Sequence, residues 1–567
     1  MKTFLKTFAL LPEKLKKQSI LFIFLLSVAT ILETIGIGLI FPLVDLIIND
    51  TFTRNLFGFD LKSISLNYGK SEIVSKLLIA YGILIFFKSI YLIFFAYWNN
   101  KLSMNLYKYL SEMLLSVYMN MNYDYYFKRN SSDLIRNVMI ECKNVGALVL
   151  SYMKLIVEVT VAISILIIVF YIDPKISILI FSTFLFFSII YYTLVKKPLY
   201  NYALIRQNTS SEQLKTLQEN FSGIKDIKLK SLEIFFKKIY FNNLEKFTVA
   251  AYKSNTLQEM PRILIELVFL IVICLIVFVN LSSDGDLKEI IPILGMYVAV
   301  GLKLVPAIAK VLSLFQIVQS NKPSIEVVSK EILLQSKLKK ETTLNLPNIN
   351  FNKEINLENI KFSYKKDNFI FNKYNFKIKS NSFVGIIGKS GQGKSTLVDI
   401  ITGLLKVNEG KVKVDGADIN NNIKSWQKQI GYVSQSIFLS DNTLTKNIAF
   451  GVPDKDINFE DVIRCTKDTM IYDFINKLEN KFETVVGEKG IKLSGGQIQR
   501  LAIARELYRK PKLLILDEAT SGLDEETENE ILKFLDKIKG KISVIIVSHR
   551  NNTIKNCDQI LDLSKLV

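Results

Sequence analysis

Six apolar stretches, each near or above the ~20 residues needed to cross a bilayer, occupy the first half of this 567-residue chain. They run around Ile20–Ile48, Ile73–Trp98, Ala147–Ile172, Ile176–Val195, Met260–Val279 and Ile290–Val318. Hydrocarbon offers no partner to a backbone N–H or C=O, so each stretch must satisfy its own hydrogen bonds as a helix. Loop charge then orients them. Lys2, Lys6, Lys14, Lys16 and Lys17 precede the first span, and Lys196, Lys197, Arg206, Lys215, Lys225, Lys228 and Lys230 follow the fourth. Asp284, Asp286 and Glu289 face only Lys288 in the last outer loop. By the positive-inside rule both termini are expected in the cytoplasm.

Beyond Ser320 the chain turns polar, and from about residue 355 short β-rich runs alternate with helical ones, the pattern of a largely parallel sheet. The expected organisation is a transmembrane domain over 1–320, a linker over 321–354 and an α/β domain over 355–567. The fold class is an all-α six-helix transmembrane domain followed by an α/β P-loop NTPase domain. The net charge of +19 fits cytoplasmic loops beside anionic membrane lipid. No basic stretch is interleaved with stacking aromatics, so nucleic acid is not expected as a partner. Four scattered cysteines and one histidine suggest neither a disulfide framework nor a zinc centre.

The buried-strand pattern Val384–Ile387 leads into Gly388-Lys389-Ser390-Gly391-Gln392-Gly393-Lys394-Ser395-Thr396, which fits GxxxxGK[ST]. Its glycines let consecutive N–H groups turn inward, and the following helix offers its positive end to phosphate. Lys394 is expected on the β- and γ-phosphates of ATP, and Ser395 on Mg²⁺. A second apolar run, Leu513–Leu516, ends in Asp517 and Glu518. Asp517 is placed to bind Mg²⁺, and Glu518 to polarise the attacking water.

Between these elements stands Leu493-Ser494-Gly495-Gly496-Gln497, opening a helix. With it the chain resembles the ATP-binding-cassette (ABC) family, and the other landmarks appear in order. The resemblance implies that Tyr364 stacks on adenine and that Gln435 approaches Mg²⁺ and senses the membrane domain. It further implies that Ser521-Gly522-Leu523-Asp524 is the D-loop and that His549 contacts the γ-phosphate. Thr484–Gly490 resembles an exporter-type loop that touches membrane helices. In this family ATP lies between the P-loop of one copy and the signature, Ser494–Gln497, of another. One such domain and six spans therefore imply a homodimer, or a heterodimer with a degenerate partner. Inner-loop coupling helices are expected near Asn122–Val138 and Ser222–Ser231 by the same analogy.

Three bases lie within apolar spans: Lys88, Arg262 and Lys303. Charge at such depth usually faces a cavity, so the three are candidates for binding an anionic substrate. Alternatively Glu33, Glu158 and Glu266 neutralise them. The chain also resembles bacterial flippases of undecaprenyl-pyrophosphate-linked oligosaccharide, through Leu32-Glu33-Thr34 with Pro42, Pro261-Arg262-Ile263 with Glu266, and Lys303 followed by Pro306. That likeness implies a lipid-linked anionic saccharide as substrate, a place in the cell inner membrane, and a short external helix within Asn49–Glu72. Lys88 and Lys303 stand where those flippases carry arginine, so charge is kept and the bidentate fork lost. An exporter of lipid A-like lipid, drug or peptide is the alternative. From another class, an ATP-gated channel or regulatory subunit also fits.

Overall fold

A computed structural model describes residues 12–38, 70–172, 174–282, 287–338, 347–364, 368–487, 490–519, 525–548 and 554–566. The chain divides into two compact units, residues 1–121 with 126–342, and residues 122–125 with 343–567.

The first unit is helical. Its long elements are α1 (Glu13–Gly38), α2 (Lys70–Met119), α3 (Cys142–Ile172), α4 (Pro174–Ser222), α5 (Glu233–Ser282), α6 (Leu287–Ser320) and α7 (Lys322–Leu338). Pro174 opens α4, where its missing N–H costs nothing. Helix α4 packs along α5, and α6 along α3 and α5. Phe22, Leu106, Met153, Ile165, Leu199, Ile265 and Leu304 fill the shared core. Phe86, Phe87, Ile93, Phe186, Leu194 and Phe278 stay exposed although large and apolar. A surface of that kind is built to face lipid rather than water. Among the described residues, Val74–Met119, Ser131–Ile167 and Ile178–Ser222 are long and apolar enough to cross a membrane. Leu304–Ser320 with Lys322–Leu334 also qualifies, as one pair bent by 43°.

Helix α7 falls in the stretch read as linker. It forms because Ile325, Val328 and Ile332 recur at helical spacing and bury one face. On that face Glu331, 2% exposed, pairs with Arg129 at 3.2 Å. The division between units accordingly falls at Thr342/Thr343, inside the expected linker. Short helices at Tyr123–Phe127, Ser131–Arg136 and Ile224–Leu229 occupy the two inner connections where coupling helices were expected.

Helix Ser131–Arg136 runs into α3 through a π-turn at Asn137–Glu141. Buried Arg136 lies 3.4 Å from the carboxylate of buried Glu141, and also donates to the carbonyl of Gln207 and to Asn137 Oδ1. The expected external helix within Asn49–Glu72 lies largely outside the described residues.

The second unit holds two sheets. Strands β1 (Glu354–Phe362), β2 (Phe371–Lys379), β4 (Glu409–Val414) and β5 (Ala417–Asp418) form an antiparallel sheet in the order β2-β1-β4-β5. Strands β3 (Phe383–Ile387), β6 (Ile430–Val433), β7 (Leu513–Asp517), β8 (Ser543–Val547) and β9 (Gln559–Asp562) form a parallel sheet ordered β6-β7-β8-β3-β9. Its central strands are buried on both faces and read as continuous apolar runs. Alternation divides them between two cores. Leu513, Ile515, Ile545 and Val547 pack with Leu397, Val398 and Ile401 of α8 (Lys394–Ile401). Leu514, Leu516, Val544 and Ile546 pack with Leu501, Ile503 and Leu507 of α9 (Gly495–Tyr508). The two helices therefore cover opposite faces of one sheet.

Candidate functional site

The site gathers where the parallel strands end, as expected for a sheet of this kind. Strand β3 delivers the chain into Gly388–Thr396, and α8 starts at Lys394. The turn requires glycine at Gly393, whose φ is +87° and where a Cβ would sit 2.5 Å from Ile370. The Lys389 amide donates to Gln392 Oε1, which closes the loop on itself. Lys394 is buried, and its ammonium reaches back across the loop to the carbonyls of Gly388 (2.9 Å) and Lys389 (3.3 Å). Ser390 and Gly391 form the loop's exposed tip. No side chain caps α8, so its first-turn amides face the space the loop encloses. Tyr364 is 55% exposed, stands edge-on to Phe362, and brings its hydroxyl within 3.3 Å of Thr396 Oγ1.

Asp517 ends β7 at 4% exposure. Tyr432 donates to its Oδ2 at 3.1 Å, and the Ser395 side chain hydrogen-bonds to it as well. Burial, with the neighbouring charge of Glu518, raises the Asp517 carboxyl above the usual carboxylate range. Asp399, one turn along α8 from Ser395, is pushed up to about 6 by burial and by the charge of Asp517. This much negative charge at one point is what a cation would relieve. Ser395, Asp517 and Gln435 carry side-chain oxygens, the donor type that suits Mg²⁺. Glu518 holds a left-handed backbone at φ +51°, fixed by its N–H to the Val547 carbonyl. Its carboxylate accepts a 2.6 Å hydrogen bond from Gln435 Nε2. An outlier of this kind persists only where the surroundings over-determine it.

The signature opens α9 on the other side of the sheet. Ser494 is the N-cap, and Ser494 and Gln497 bond each other's backbone N–H in a reciprocal box. Ser494 and Gly495 are exposed, and Gly496 is half-buried in the first turn. Among the described residues no hydrogen bond joins Ser494–Gln497 to Gly388–Thr396. In the loop Thr484–Gly490, Val485 bridges Thr443, whereas Glu488 and Lys489 lie outside the described residues. So do Asp524 and His549.

In the first unit, α5 and α6 enclose a groove of about 1200 Å³. Arg262 lines it, with Glu259, Glu266 and Lys310. Lys88 is not among the residues that line it, and the side chains of Lys303 and Glu33 lie outside the described residues. Glu158 forms an ion pair with Lys310, a base that the sequence reading did not single out. Lys310 lies in the last third of its span, and its link to α3 depends on packing that a linear reading does not supply. The reading also missed Tyr432 and Glu506, whose half-buried carboxylate accepts the Tyr432 N–H at 3.2 Å. Period-two alternation places Tyr432 on one face of β6, but only the register puts that face beside Asp517.

The family model for the ABC transporter transmembrane region matches residues 19–290, and that for the ABC transporter matches residues 371–521. The alpha-hemolysin translocation ATP-binding protein HlyB of Escherichia coli is 35% identical over 355 residues, 62% of this chain and 49% of that protein. An ATP-dependent lipid A-core flippase of Pasteurella multocida is 40% identical over 209 residues, 36% of each chain. The chain thus spans at most about half the length of these curated relatives. A solved bacterial Atm1-family ABC exporter with ATP bound superposes with a TM-score of 0.76 at 20% identity, over 97% of this chain and 93% of that one. That likeness speaks for the fold. With both models matched in sequence, and together covering well over half of its length, the chain belongs to the ABC transporter family, with an exporter-type helical transmembrane domain followed by the ABC nucleotide-binding domain.

Proposed function

We propose that this chain is one half of an ATP-hydrolysing exporter that works as a homodimer in the cell inner membrane. In this reading it moves a phosphate-bearing saccharide lipid from the cytoplasmic to the outer leaflet. One observation carries the ATPase reading. Ser395 bonds to Asp517, and Gln435 bonds to the next residue, Glu518, beside a P-loop whose lysine spans its mouth. Lys394 and the α8 amides bind and orient the β- and γ-phosphates. Mg²⁺, held by Ser395, Asp517 and Gln435, would neutralise phosphate charge. Glu518 orients the attacking water and takes its proton, while the bond from the γ-phosphorus to the leaving ADP oxygen breaks. Tyr364 packs on the adenine. Asp524 and His549 complete the site by family resemblance.

Helices α8 and α9 cover opposite sheet faces, so each P-loop is left for the Ser494–Gln497 turn of a second copy. This supports the dimer. The short helices at Tyr123–Phe127 and Ile224–Leu229 pass its closure to the membrane helices. Arg262, a base at membrane depth that lines the groove, supports an anionic cargo. Lys88 and Lys303 are proposed to add to that charge. Lipid-linked oligosaccharide and lipid A-like lipid both meet the description. The toxin-translocating relatives favour a second reading, a polypeptide cargo.

The test is ATPase activity of the purified chain in nanodiscs, with undecaprenyl-pyrophosphate oligosaccharide, lipid A, a hydrophobic drug or an unfolded polypeptide added. A saccharide lipid should stimulate turnover, and stimulation by the drug or polypeptide alone would end the lipid reading. Glu518→Gln should keep nucleotide binding and lose at least about 100-fold in turnover, the scale of a lost general base.

A further inference from the structure

Tyr432 was not among the expected site residues, yet it contacts the metal-binding carboxylate directly. Strand β6 pairs in parallel with β7, and Tyr432 lies opposite Ile515. Residues two apart on a strand share a face. Asp517 is therefore the next residue after Ile515 on the face that Tyr432 occupies. A phenol is long enough to span that diagonal, and its hydroxyl reaches Asp517 Oδ2 at 3.1 Å. Among the described residues Asp517 has two side-chain donors, Tyr432 and Ser395. Ser395 is itself a proposed ligand of the metal, so its hydroxyl must serve the metal and the carboxylate together. Tyr432 has no such second duty.

The other end of Tyr432 is held as well. Its backbone N–H donates to Glu506 Oε2, and Glu506 belongs to α9, the helix that the signature opens. Gly431 lets this helix close on the strand: a Cβ there would sit 3.0 Å from that of Glu506. An unbroken chain of contacts thus runs from the signature helix through Glu506 and the β6 backbone to the Tyr432 hydroxyl and Asp517.

We infer that Tyr432 is a positioning residue that orients the Asp517 carboxylate for Mg²⁺, itself set in place by Glu506 of the signature helix. The inference rests on the proposed ATP-and-Mg²⁺ reading of this site and gives two further residues a role in it. Partners that orient a metal-binding group from behind commonly carry about 10- to 100-fold in metal affinity.

The test measures binding rather than turnover. The full-length chain in detergent is titrated with TNP-ATP, a fluorescent nucleotide, at Mg²⁺ concentrations from EDTA-chelated upward. Wild type and Tyr432→Phe are compared, with melting curves alongside. Tyr432→Phe should raise the Mg²⁺ concentration for half-maximal enhancement of binding by about 10-fold, with EDTA binding unchanged. A purely structural role would move both together. Wild-type Mg²⁺ dependence in Tyr432→Phe overturns the inference, as does an equal loss in EDTA. Should that variant not fold, Glu506→Ala, which removes the acceptor, reads the same quantity: a smaller shift of the same sign supports the inference, and an unmoved midpoint overturns it. Wild-type protein that binds no TNP-ATP at all would instead sink the nucleotide reading beneath it.

Discussion

Two helices of the nucleotide-binding unit begin in opposite ways. Helix α8 starts from Gly393, in a left-handed conformation, and no side chain caps it. Helix α9 starts from Ser494, and the side chains of Ser494 and Gln497 satisfy each other's backbone N–H. Both ends carry the partial positive charge of a helix N-terminus. The first spends none of it within the chain, and the flanking loop keeps the space open. In the second the amides of Ser494 and Gln497 already have partners, which leaves those of Gly495 and Gly496 for a phosphate arriving from another copy. In the proposed dimer the P-loop is then a standing site for nucleotide, whereas the signature contributes only when two copies meet.

The largest effect should come from the open end. Lys394→Ala removes the ammonium across the loop and should weaken TNP-ATP binding by at least about 100-fold, the scale of charge-assisted hydrogen bonds. Retained affinity would mean that the amides of α8 suffice alone. The closed end should separate binding from turnover. Ser494→Ala should leave TNP-ATP affinity within about twofold while lowering ATPase activity by about 100-fold, as loss of one transition-state donor does. It also removes the cap, for about 1 kcal/mol of helix stability. Weakened nucleotide binding in that variant would erase the contrast between the two ends.

The smallest effect concerns pH. Asp558 accepts the Phe383 N–H at the start of β3 and lies 3.2 Å from Lys539; that backbone hydrogen bond and the lysine hold its carboxyl below the ordinary range. A depressed carboxylate stabilises the fold above its unfolded pKa of about 3.9, and that stabilisation is lost as pH falls through the lower folded value. Asp558→Asn should therefore lower the melting temperature slightly at pH 7.5, and the gap should narrow only below about pH 4. A gap constant across that range would show that the loss is one of packing.

The P-loop, the Asp517-Glu518 pair and the signature are legible because each is a local string whose chemistry and backbone demand coincide. Gly393 is glycine for φ, and Ser494 and Gln497 form a box across three residues. The apolar spans are legible because bilayer thickness sets their length. What stayed hidden depends on register or on packing between distant elements. Tyr432 finds Asp517 only through the pairing of β6 with β7. Glu158 finds Lys310 only because α3 lies along α6. Helix α7 reads as linker because its apolar face is a narrow stripe among Lys, Ser, Glu and Gln. Glu331, an acid on that buried face, makes the stripe harder still to see.

The π-turn at Asn137–Glu141 has a consequence for how the third span tolerates change in length. Positions five apart on an ordinary helix are about 140° out of phase, since each residue turns the chain by about 100°. They come into line only where a turn holds one residue too many. Arg136 and Glu141 are five apart and within 3.4 Å. Removing a single residue there would straighten the coil, part a buried guanidinium from its carboxylate, and swing everything from Cys142 to Ile172 by more than a quarter of a revolution. Length at this point is fixed by geometry, even where the identity of the residue is open.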